Sequence, residues 1–206
     1  MTLLAYQQAL CDLVASPALC VAVRRDPERS LLKFDLTERE RRRLAAVAGQ
    51  RGMSTSCTLH RVNRITPIFE YLPLTCALLG DDLIREAELF WDEGAASDLQ
   101  FGPESERFAE FLKRRVRTGA VADPYLEDVV EFELTANRFR ARLREEDPGD
   151  GRLVATTTFR HEPTELLAAL IDGRRPDREP ARGEFVVTLD ASGGELAIAR
   201  VEHTCA

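Results

Sequence analysis

Asp123-Pro124-Tyr125-Leu126-Glu127-Asp128-Val129-Val130-Glu131-Phe132-Glu133 opens a helical pattern that runs to Arg144. Glu145-Glu146-Asp147-Pro148-Gly149-Asp150-Gly151 and Leu153-Val154-Ala155-Thr156-Thr157-Thr158-Phe159 follow it, and there the period of the chain changes. Before the change, Leu126, Val130 and Leu134 with Val129, Ala136 and Leu143 give one apolar helix face. The acids of this segment (Glu127, Asp128, Glu131, Glu133) come early and its arginines (Arg138, Arg140, Arg142, Arg144) late, the order that complements a helix dipole. The run 145–151 has the composition of a linker. After it, β-branched residues predict a strand over Leu153–Phe159.

Upstream, everything reads as helix. Leu3, Tyr6, Leu10, Leu13 and Val14 recur near a 3.6 period. Thr37 is a good N-cap for a helix that reaches Ala48, and Gly49 a good stop. Thr66-Pro67 reads as an N-cap followed by proline at the first helical position. Pro73 must kink or break that helix, because it removes a donor and collides with the preceding turn. Gly80 predicts another stop, and Asp81-Asp82 the start of a helix carrying Leu83, Ala87, Phe90 and Trp91. Gly102-Pro103 opens one more, with a stripe of Phe108, Phe111, Leu112 and Val116. Downstream, Pro163–Ile171 predicts a short helix. Phe185–Leu189, the turn Ala191-Ser192-Gly193-Gly194, and Glu195–Val201 predict a β-hairpin. The expected fold is therefore α+β: a helical domain over 1–146, then a small β-α-β-β unit with an antiparallel sheet over 151–206.

The totals bound the chemistry. The 206 residues suffice for a core, and 44% apolar with 31% charged residues is ordinary for a globular protein. A net charge of −7 opposes nucleic acid and anionic membranes, so neither is expected as a partner. No apolar run approaches the ~20 residues that span a bilayer. The N-terminus lacks the pattern of a signal peptide, which predicts a cytoplasmic protein. Cys11, Cys20, Cys57, Cys76 and Cys205 form no Cys-x-x-Cys pair, and His60, His161 and His203 are scattered. Neither a metal centre nor a catalytic triad is suggested. The expectation is a non-catalytic chain without a cofactor of its own.

Two polar clusters compete as binding surfaces. Leu36-Thr37-Glu38-Arg39-Glu40-Arg41-Arg42-Arg43-Leu44 looks like the opening of a helix-turn-helix, and a DNA-binding regulator using Thr37–Arg64 is the alternative function. Against it, Met53–Leu59 is weak at the spacing a recognition helix needs. His60 and Arg64 share a helix face with Asn63 beside them. With Arg61, they form a polar surface suited to fixing a partner protein. The C-terminal sheet offers an edge to which an extended peptide could add.

Arg61-Val62-Asn63, Phe69-Glu70-Tyr71 before Leu72-Pro73, Leu78-Leu79-Gly80-Asp81-Asp82-Leu83, Phe108-Ala109-Glu110-Phe111-Leu112 and Pro124–Glu133 occur in an order that resembles a known family. Its members are partner subunits of multinuclear non-haem iron oxidases in ribosomal peptide natural-product pathways. The methanobactin-type partner proteins are one branch, and some relatives are labelled DNA-binding domains. The resemblance covers about residues 58 to 145. It implies that a separate oxidase holds the iron and that this chain forms a heterodimer with it. The chain would then bind the leader of a precursor peptide and present a cysteine-containing core. On that reading His60, Arg61, Asn63, Arg64, Phe69 and Tyr71 dock the oxidase. Phe185, Val186, Val187, Thr188 and Leu189 bind the peptide, with Val154–Phe159 the other candidate strand.

Overall fold

A computed structural model describes residues 3–93, 101–145, 154–191 and 197–203. The expected linker beyond Glu145, the turn Ser192-Gly193-Gly194 and Cys205 lie outside the described residues. The fold is α+β, with the helices first and a small antiparallel sheet last. Two compact units divide at Ile65/Thr66. The division expected at 146–151 is a different line and falls inside the second unit, where helix and sheet share a core.

The first unit contains α1 (Leu3–Ala15), α2 (Pro17–Arg25), α3 (Pro27–Ser30), α4 (Glu38–Ala48) and the start of α5 (Arg51–Tyr71). Local chemistry explains the boundaries. Ser16 accepts a bond from the Leu19 N–H just before Pro17. Thr37 and Glu40 form a reciprocal capping box at the head of α4, and Gly49 ends it. Leu13, Val23, Leu31, Leu44 and Met53 build the core of this unit. No single described helix is long and apolar enough to cross a membrane.

One expectation about α5 changes. Pro67 does not start a helix but lies inside one, since α5 runs from Arg51 to Tyr71. A proline in mid-helix removes one backbone donor. Separately, the Pro67 carbonyl accepts the Ser105 hydroxyl at 2.9 Å. Met53–Leu59, weak at the apolar spacing a recognition helix needs, is helical, with Met53 and Cys57 one turn apart and both buried.

The second unit continues with α6 (Pro73–Leu79), a 3₁₀ turn at Gly80–Asp82, α7 (Leu83–Asp92), α8 (Phe101–Arg117) and α9 (Leu126–Glu145). It closes with β1 (Val154–His161), α10 (Pro163–Ile171), β2 (Arg182–Asp190) and β3 (Ala197–His203). Pro73 does break the chain and begins α6, and Gly80 ends it at φ 51°. Asp123 caps α9 by accepting the Tyr125 and Leu126 N–H groups. Phe90, Phe108 and Phe111 pack with ring centroids 5.4–6.1 Å apart. Phe132 of α9 meets Phe159 of β1 at 5.8 Å, which joins the helices to the sheet.

Candidate peptide-binding groove

The sheet order is β1-β2-β3, both pairs antiparallel. This order corrects the expected peptide site. Phe185–Leu189 lie in β2, the central strand, with partners on both sides. Their backbone ladders are already used, so no peptide can add to them. Phe185, Val187 and Leu189 are core side chains, and only Val186 and Thr188 of the five are half-exposed. Among the described residues the edges are β1, which holds the other candidate residues Val154–Phe159, and β3.

These edges differ. Asp128 on α9 accepts the Arg160 backbone N–H at 2.8 Å and the Arg160 Nε at 2.9 Å, so part of the β1 edge is occupied. His161 is buried beside the same carboxylate, edge-on to Tyr125 with centroids 4.8 Å apart. β3 has only β2 as a described partner. Ala197, Ile198, Ala199, Val201 and Glu202 are all exposed. The register sets Leu189 opposite Ile198 and Val187 opposite Val201, with a bulge between them. Leu189 and Val187 are 1% and 0% exposed, whereas Ile198 and Val201 are 46% and 37%. The inner face of the sheet is thus covered over β2 and left open over β3.

A cavity of about 340 Å³ opens beside Ile198, lined by Tyr71, Leu74, Phe132, Arg140 and Leu189 among others. A second, of about 690 Å³, shares Tyr71, Asn137 and Arg140 with it and reaches Arg144. Asn137 braces the junction, donating to the Tyr71 carbonyl at 2.5 Å and accepting from Arg140 at 3.2 Å.

Glu133 holds the floor in place. Pro73 occupies the first turn of α6, and its N-cap, Leu72, has no side-chain acceptor. The Leu74 and Thr75 N–H groups donate instead to the Glu133 carboxylate, at 2.7 and 2.8 Å. Burial pushes this carboxyl from 4.5 up to about 7, against the lowering effect of the bonds from Thr75 and Leu74 and of Arg140 nearby.

The six expected docking residues divide between the units. His60, Arg61, Asn63 and Arg64 belong to the first, Phe69 and Tyr71 to the second. Asn63 and Phe69 are exposed, while His60 and Arg61 are half-buried. Arg64 is 6% exposed and so cannot present a docking surface, which corrects that expectation. Tyr71 lines the groove. Ile198, Leu74, Phe132, Asn137, Arg140 and Glu133 escape the sequence reading. Ile198 alone had a local signal, as the apolar residue of an alternating edge segment. Among the described residues no three His, Cys, Asp or Glu side chains gather as metal ligands. No family model, no curated protein and no solved structure matches the chain.

Proposed function

We propose that this chain is the substrate-recognition partner of a separate multinuclear iron oxidase, and that it captures the leader of a ribosomally made precursor peptide by strand addition to β3. The observation that carries the reading is the exposed face of β3, an edge strand among the described residues: Ile198 and Val201 are half-exposed on the inner face while their β2 partners are buried. An added strand supplies backbone partners along β3 and lays alternate side chains over Ile198, Val201 and the adjoining cavity. Affinity from the backbone tolerates many sequences, and the cavity between Tyr71, Leu74 and Phe132 selects among them. The chemistry belongs to the oxidase, and this chain contributes position. Docking of the oxidase uses the exposed Asn63 with the half-buried His60 and Arg61 of the first unit, and no longer Arg64.

Co-expression with an oxidase encoded in an adjacent reading frame, and with a short cysteine-containing peptide encoded beside it, tests this. The expected outcome is a stable heterodimer that retains the peptide. A photo-reactive residue at position 201 should cross-link to the leader. An inert monomer beside the oxidase would overturn the reading.

The DNA-binding alternative has one point in its favour, since α5 does follow α4 after only Gly49 and Gln50. Against it, Arg41 and Arg42 of α4 are paired with Glu28 and Glu38. Duplex binding with a steep salt dependence would support this alternative and count against peptide capture.

A further inference from the structure

The first unit holds a cavity of its own, about 450 Å³, open to solvent between α2, the end of α4 and α5. Cys20 of α2 and Cys57 of α5 both line it, with sulfurs 3.9 Å apart. Both thiols converge on one acceptor, the Leu13 carbonyl, at 3.0 and 3.5 Å. Arg24, Arg51 and Arg61 also line the cavity, and among the described lining residues there is no Asp or Glu. In a chain of net charge −7, that is a local reversal of sign. Two buried cysteines filling a core need neither an opening nor a ring of guanidiniums. An anionic ligand bringing sulfur chemistry accounts for both.

We propose that this pocket is a thiol–disulfide exchange site for an anionic low-molecular-weight disulfide of the glutathione disulfide class, and that exchange there closes a Cys20–Cys57 disulfide. One cysteine gives up its proton, and the thiolate attacks a sulfur of the bound disulfide. A mixed disulfide forms and one glutathione thiolate leaves, taking a proton from solvent. The second cysteine, deprotonated in turn, attacks the protein sulfur of that mixed disulfide and expels the second glutathione. Two protein thiols are oxidised, one small disulfide is reduced to two thiols, and no other oxidant is needed. Closure requires the sulfurs to approach from 3.9 Å to about 2.05 Å. Burial, and then the neighbouring Cys57, push the Cys20 thiol up to about 11. Any step that uses the Cys20 thiolate therefore accelerates as pH rises.

The test uses the full chain with the exposed Cys11 and also Cys205 replaced, Cys11→Ser and Cys205→Ser. Trypsin releases residues 1–24 and 52–61, which then carry Cys20 and Cys57 as their only cysteines. After incubation with glutathione disulfide, the mass of the intact chain should fall by about 2 Da. A non-reduced digest should join the two fragments, and dithiothreitol should separate them. Cystamine, a cationic disulfide, should react roughly fivefold more slowly, and Arg24→Gln with Arg51→Gln should erase that difference. Both reagents should behave alike on the guanidinium-unfolded chain. Unlinked fragments, or a reaction that halts at the glutathione adduct, would overturn disulfide closure. Equal rates for the two reagents on the folded chain would overturn recognition of the anion.

Discussion

Glu133 does for α6 what no residue near it in sequence can do. A helix that begins Leu72-Pro73 has no capping side chain, and its first free N–H groups lie in a buried place. Glu133 to Leu should leave two N–H groups unsatisfied and cost about 2–4 kcal/mol in urea denaturation. The same group gives a pH signature. Its folded-state value, about 7, stands above the ordinary 4.5, so the folded chain holds this proton more tightly than the unfolded chain does. That contribution is fully present below about pH 4.5 and is lost as pH rises through about 7. Trp91, the chain's only tryptophan, lies in the same unit and reports its unfolding. Between about pH 5 and about pH 8 the wild type should lose on the order of 3 kcal/mol more than Glu133→Gln. Parallel pH profiles for the two proteins would refute the assignment. Gly80 is a second residue-scale constraint. At φ 51° and ψ −122° it occupies backbone space that side chains avoid, so Gly80→Ala should cost about 1–3 kcal/mol although nothing crowds its Cβ.

At the scale of elements, existence was easier to read than arrangement. The helix ends at Ala48 and Leu79, the start of α6 at Pro73 and the whole of α10 follow from caps, prolines and glycines within a few residues of each boundary. Strand order does not. The hairpin β2–β3 could have met β1 through either member, and both alternatives satisfy the same alternation of apolar and polar residues. β1 pairs with β2, which buries Phe185–Leu189 and leaves β3 outside. If β3 takes the leader as proposed, Ile198→Glu should reduce leader affinity at least about tenfold, while costing the fold under ~1 kcal/mol because the residue is already half-exposed. Isothermal titration together with thermal unfolding separates the two effects. Val187→Glu, on the central strand, should instead unfold the unit. Phe108→Ala, in the aromatic cluster, should cost about 3–5 kcal/mol.

For the molecule as a whole, charge is the informative quantity. A net −7 is spread so that one pocket, among the described residues, is lined by three arginines and no acid, and the α4 arginines Arg41 and Arg42 are tied to Glu28 and Glu38. A duplex titration near 150 mM salt should give no measurable binding, and a micromolar complex would reopen the regulator reading. What the sequence alone determined is the α+β class and many of the elements, though not α2, α3 or the start of α5, because periodicity, capping and turn chemistry act over distances the chain itself spans. What only the tertiary structure decided is who meets whom. Glu133 reaches α6 across 58 residues, Cys20 and Cys57 meet across 37, Arg64 turns inward, and among the described residues β3 rather than β2 becomes an edge strand. Such pairings depend on loop closure and on competition among apolar faces for one core. Neither quantity is local, so neither leaves a mark in the neighbouring residues.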